Sequence, residues 1–322
     1  MKHFTPATVH RVYSVMRLDD FDPNINVEDQ RGSGGGGLGF GGGGGGGGGL
    51  LFGLLPLIGS RFGCGGIVVV LLLMAVFGGG LGGLGGLLGG GGTPAVSPAS
   101  RSAGSDVRSS CTLDAESKAA CNAFSSADKT WAALFQQSGQ QFDAPKLVFF
   151  NGNGQSGCGA AQSAMGPFYC PSDRGIYLDT AFFGELANRF RASGDFAQDY
   201  VIAHEFGHHI QNLLGTSDRV SRAQQSGSRT EGNAQSVRLE LQADCYAGVW
   251  AAANRQRIEP GDVQEGMTAA QAIGDDTLQR ESQGRVVPDS FTHGTSAQRT
   301  HWLQRGLDSG DPAQCDTFSG AI

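Results

Sequence analysis

Between Gly194 and Gly215 the apolar residues Phe196, Tyr200, Val201, Phe206, Ile210, Leu213 and Leu214 recur at helical spacing. The spacing predicts a helix of about 20 residues, with Asp195 as N-cap and Gly215 as its stop. A second helix is predicted over Ser236–Trp250, where Val237, Leu241 and Val249 mark the apolar side. Lys146–Phe150 and Gly175–Asp179 are short and rich in β-branched and aromatic residues, and read as strands. They are expected to form a sheet packed on the first helix, whose exposed edge can pair with an extended peptide. The expected fold class is α+β: a mostly helical domain with a small sheet.

Ahead of this domain the pattern changes. Residues 1–31 mix four basic with five acidic side chains and read as a polar tail. From Gly32 to Ser100 the only charged residue is Arg61. Gly34–Gly49 is nearly pure glycine and reads as a flexible linker, so 32–62 is assigned to a linker. Gly63 to Leu88 carries Ile67–Phe77 at its centre and no charge. A bilayer core needs about 20 apolar residues, and membrane helices tolerate glycine, so 63–88 is predicted as a single-pass transmembrane anchor. Residues 89–110 are a Pro/Ser/Ala-rich linker, and 111–322 form the folded domain.

Composition sharpens this division. Of the 54 glycines, 31 lie between Gly32 and Gly92, and no collagen period is present. The net charge of −7 excludes a general nucleic-acid footprint, so no nucleic-acid partner is expected. Cys64 lies in the apolar stretch, and the other six cysteines all follow it. An even set suits three disulfides in an oxidising compartment. Near neighbours suggest Cys111–Cys121 and Cys158–Cys170, leaving Cys245–Cys315. With Arg61 just before the span, the expected arrangement is a cytoplasmic-membrane protein with its N-terminus inside and its domain extracytoplasmic.

The first helix carries His204-Glu205-x-x-His208. Residues four apart on a helix project side by side, as two neighbouring tetrahedral Zn²⁺ positions require. Glu205 is rotated by about 100° from His204, which suits a general base acting on a water at the metal rather than a ligand. His209 points elsewhere and is not expected to bind metal. Gln211 and Leu214 stand where a metzincin pattern would need other residues, so the third ligand comes from outside the helix. Glu240 and Asp244 sit four apart among apolar neighbours on the second helix, where two unpaired inward acids would be costly. Glu240 is the expected third ligand, with Asp244 accepting the outer N–H of a ligand histidine. Asp244, His293 and His301 are the rival third ligands. His293, just before a helix capped by Thr295 or Ser296, is a candidate donor to a reaction oxyanion; Tyr246 is a weaker one.

These residues lie in stretches that resemble the membrane-anchored putative neutral zinc metallopeptidases of bacteria. The resemblance covers Asn26-Val-Glu-Asp-Gln-Arg-Gly32, Ser156-Gly-Cys-Gly159, Gly166-Pro-Phe-Tyr-Cys-Pro171 and Ile176-Tyr-Leu-Asp179. It continues through Tyr200–His209, Val237–Cys245, Ile273-Gly-Asp-Asp276, Phe291–Arg299 and Cys315-Asp-Thr-Phe318. It implies a zincin-like fold and a gluzincin-type site. The expected function is peptide-bond hydrolysis on a peptide or protein substrate, with Zn²⁺ as cofactor. The alternative is a non-catalytic, membrane-anchored binding or assembly module with a structural zinc. Glu205 favours the enzyme, because a structural site has no use for a base beside it.

Overall fold

The computed structural model describes residues 18, 20–32 and 106–322. In chain order the elements are β1 (Val27–Asp29), α1 (Val107–Cys111), α2 (Ala115–Gln137), β2 (Lys146–Phe150), β3 (Asn153–Ser156), β4 (Gly159–Gln162), β5 (Phe168–Cys170) and β6 (Gly175–Asp179). Then follow α3 (Ala181–Asn188), α4 (Asp195–Leu213), α5 (Thr216–Ser226), α6 (Arg229–Ala253), α7 (Asp262–Ala272), α8 (Asp275–Gln283) and α9 (Ser296–Ser309). The architecture is α+β and mostly helical, as expected. Among the described residues no helix is long and apolar enough to cross a membrane. The anchor expected over 63–88 lies outside the described residues, as does Cys64.

The main sheet has the order β1-β2-β6-β5. β1, β2 and β6 run parallel, and β5 is antiparallel to β6. β2 is apolar on both faces, and both are covered. Leu147 and Phe149 join the main core with the helices, while Val148 and Phe150 pack with Cys170, Tyr177 and Ala161 in a smaller core under the β3–β4 hairpin.

One outer strand comes from the segment expected as a polar tail. Val27, Glu28 and Asp29 pair with Leu147, Val148 and Phe149. Leu18 and Ile25 enter the main core. Arg31 grips Asp29 through two contacts of 2.9 and 2.6 Å, donates to the Ser110 carbonyl at 2.9 Å, and lies 4.4 Å over the Phe149 ring.

α4 is the central helix, flanked by α2, α6 and α7. Gly194, not Asp195, occupies its N-cap, and Asp195 begins the helix. Gly215 adopts φ 70°, which ends α4 in the left-handed conformation open to glycine. α6 extends beyond the predicted span because Ser228 and Glu231 form a capping box at its start. Thr295 and Gln298 do the same for α9. α6 and α9 cross at glycines. A Cβ on Gly306 would fall 1.9 Å from the Cys245 carbonyl oxygen, and one on Gly248 2.2 Å from that of Leu303. Three disulfides, Cys111–Cys121, Cys158–Cys170 and Cys245–Cys315, have the expected pairing.

Candidate metal centre

α4 and α6 face one another so that three donor side chains converge. His204, His208 and Glu240 place their donor atoms within 4.8 Å of one another. His204 Nε2 lies 3.1 Å from Glu240 Oε2, and His208 Nε2 lies 3.5 Å from Glu240 Oε1. Donors about 2.1 Å from a tetrahedral ion stand about 3.4 Å apart, so this set fits Zn²⁺ in spacing as well as in chemistry. Among the described residues this is the one group of its kind. The rivals lie apart: Asp244 turns to His204 Nδ1, His293 stands outside the donor group, and His301 is exposed on α9.

The outer nitrogen of each histidine is held. His204 Nδ1 donates to Asp244 Oδ1 at 2.8 Å, and His208 Nδ1 donates to Gln211 Oε1 at 2.8 Å. Both Nε2 atoms therefore face Glu240. Behind His204, Asp244 Oδ1 also accepts from the Tyr200 hydroxyl at 2.6 Å. Arg299 donates to both Asp244 oxygens at 2.9 Å. Behind His208, Gln211 Nε2 donates to the Leu239 carbonyl at 2.6 Å and to Gln242 Oε1 at 3.2 Å. Gln242 in turn donates to the Cys315 carbonyl at 2.9 Å. Gln211 and Arg299 are the direct supports of His208 and Asp244 that the sequence reading missed, and Tyr200 and Gln242 back them. The spacing of Gln211 one turn beyond His208 was the available signal; Arg299 offered none, since its partner lies 55 residues away.

The electrostatics of the donor set suit a cation. Burial pulls His204 down, but the Asp244 and Glu240 carboxylates prevail and hold it at about 10. Burial would raise Glu240, yet the two imidazoles hold it well below the usual carboxylate range. A cation held by these donors would have to displace a proton from His204. Glu205 is buried, and burial raises its carboxyl despite the neighbouring imidazoles.

His293 is held by Asp275. Asp275 Oδ2 accepts the backbone N–H of Thr292, His293 and Gly294 at 2.7, 2.6 and 3.1 Å, and Oδ1 lies 3.3 Å from His293 Nδ1. The ring remains 40 % exposed. Tyr246 packs edge-on against Trp131 in the core, and His209 is held between Tyr169 and the Asp143 carbonyl.

The family model described as putative neutral zinc metallopeptidase matches residues 16–318. Over 197 residues the chain is 55 % identical to a protein of Escherichia coli strain K12 named uncharacterized protein YpfJ, covering 61 % of this chain and 69 % of the relative. It is 44 % identical over 209 residues to uncharacterized protein Mb2605 of Mycobacterium bovis, covering 61 % and 68 %. No solved structure matches the chain. The family match runs from before β1 to the last turns and takes in the whole His/His/Glu donor set, so the chain belongs to the putative neutral zinc metallopeptidase family.

Proposed function

We propose that this protein is a zinc-dependent peptidase with a zincin-like domain and a gluzincin-type site, attached to a membrane through its apolar stretch. His204, His208 and Glu240 would hold the ion. When bound, zinc supplies Lewis acidity to the scissile carbonyl and acidifies water. Glu205 takes the proton from the attacking water and passes it to the leaving amine. Its burial suits the role of base, since burial raises the carboxyl and makes it a better proton acceptor than an exposed glutamate. His293, held by Asp275 and partly open to solvent, would donate to the oxyanion. β5 is the outer strand beside α4, joined to it by Tyr169 Oη and His209 Nδ1 at 3.1 Å. An extended peptide can add to that edge.

The observation that carries the reading is the pairing of an incomplete donor set with a buried carboxylate beside it. Three protein donors converge among the described residues, one short of the closed set of a structural zinc. The test compares zinc-loaded wild type with Glu205→Gln on a proteome-derived peptide pool. The variant should keep its zinc and lose about 10²–10⁴-fold in hydrolysis. His204→Ala should lose metal and activity together. Equal cleavage by wild type and Glu205→Gln would leave the structural-zinc module as the answer.

A further inference from the structure

β1 and β2 are neighbours in one sheet, yet the apolar stretch over 63–88 lies between them in sequence. The pairing is not a loose contact. Leu147 donates to the Asn26 carbonyl at 2.9 Å, and Gln30 donates to the Phe149 carbonyl at 2.7 Å. The same segment makes a second, separate attachment to α2: Asp22 N–H donates to Ser125 Oγ at 2.9 Å, and Asn122 donates to the Leu18 carbonyl. Leu18 and Ile25 are nearly fully buried. Lys146 on β2 binds Glu28 on β1 at 2.9 Å. Arg31 reaches Ser117 on α2 and the carbonyl of Ser110 on α1.

The segment also completes the domain. β2 reads Lys-Leu-Val-Phe-Phe, and Leu147 to Phe150 are all buried. Without β1 the outer edge of this apolar strand would present unpaired backbone groups, an open template for another strand.

A single crossing by 63–88 would put β1 and β2 on opposite sides of about 30 Å of hydrocarbon. Hydrogen bonds of 2.7–2.9 Å cannot form across that distance. We infer that residues 20–32 are an integral strand of the metallopeptidase domain and share its compartment, so that the chain between 32 and 106 begins and ends on one face of any membrane it meets. This arrangement replaces a single pass with the N-terminus inside and the domain outside. It does not depend on the peptidase reading, because it rests on the sheet and on α2 rather than on the metal site.

The experiment uses the full-length chain in cell membranes. Cys64→Ser leaves no free thiol, since the other six cysteines are paired. Into this background go, one at a time, Asn24→Cys before β1 and Gln304→Cys on α9, both exposed positions. Intact spheroplasts and detergent-opened membranes are treated with a membrane-impermeant maleimide. The two positions should label together, either both from outside or both only after opening. Label at one position from outside and at the other only after opening overturns the inference. A second readout covers any variant that misfolds. In the membrane-bound protein without cysteine additions, the Leu147 amide should be protected from hydrogen exchange as strongly as the Tyr177 amide; rapid exchange at Leu147 also overturns it.

Discussion

Arg299 clasps Asp244 through a two-point fork, Nε to Oδ2 and Nη2 to Oδ1, each at 2.9 Å, with the two residues 2 % and 0 % exposed. The fork lies directly behind the metal-facing histidine, since Asp244 Oδ1 also accepts from His204 Nδ1. Burial would raise the Asp244 carboxyl, but Arg299 and His204 hold it at about 2. Asp244 therefore stays charged, and its charge makes His204 Nε2 a stronger donor to a cation.

Replacing Arg299 with Gln should lower zinc affinity by about 10–100-fold, the usual effect of losing an outer support of a ligand histidine. It should also cost about 3–5 kcal/mol of stability, because Asp244 becomes a buried charge without its cation. Competition with a chromophoric chelator reads the first effect, and denaturant unfolding of metal-free protein the second. Unchanged zinc affinity beside a large stability loss would reduce Arg299 to a fold residue.

His209 predicts an acid weakness unrelated to the ligands' own protons. Burial holds its imidazole down at about 4, against an ordinary value of 6.5. Between those values the unfolded chain is protonated and the folded one is not, so stability falls as pH falls from 6.5 towards 4. The size is about 3 kcal/mol across that window. In metal-free protein, His209→Gln should flatten the slope of stability against pH there. An identical slope in the two proteins would count against a neutral, buried His209.

The N-terminal strand should respond to pH on both sides. Burial opposes the charge on Asp29 and Glu28, but Arg31 holds the first below 3.8, and Gln30 and Lys146 hold the second below 4.5. Their contribution is present above those unfolded values and is lost as pH falls through the lower folded ones. Lys146 is held above 10.5, so its contribution is lost only as pH rises beyond that. Hydrogen exchange at Leu147 and Gln30 should be slow relative to intrinsic rates between these limits and faster outside them. Arg31→Ala should move the acid limit upward.

Removing the Cys245–Cys315 bridge should cost stability and metal together. It closes a span of 70 residues, for which loop entropy alone suggests about 4 kcal/mol. It also secures the Cys315 carbonyl that receives Gln242, the neighbour of Gln211 behind His208. The Cys245→Ser, Cys315→Ser double variant should unfold at lower denaturant and bind zinc more weakly. Weaker folding with intact zinc affinity would confine the bridge to global stability.

The centre of this domain was legible in the sequence because its signals are local. α4 shows itself through apolar spacing, two histidines one turn apart and a terminal glycine. Glu240 and Asp244 are conspicuous as acids on an apolar helix. The edges were not legible. β1 is three residues with two acids among them, and the strand it joins is about 120 positions away. Beyond its backbone ladder to β2, its hold comes from side-chain bonds and from Leu18 and Ile25, none of which makes a period-2 pattern. Arg299 resembles a surface residue of α9 in sequence, and it is the packing of α9 against α6 and α7, with Tyr200 of α4 beside it, that buries it. Asp275 was hidden for the same reason, since its work is to receive three backbone N–H groups from a loop 17 to 19 residues on.

The glycine crossing of α6 and α9 gives the metal site a gauge of distance. Gly248 is one turn beyond Asp244 on α6, and Gly306 is about two turns beyond Arg299 on α9. The helices can approach closely enough for the fork only because neither position carries a side chain. A single methyl at Gly306 would wedge the seam open, draw the guanidinium away from its carboxylate and slacken the grip on His204. The grip of this donor set on an ion would therefore be partly a matter of shape. It would be tuned by the bulk of a residue that has no donor side chain and no charge.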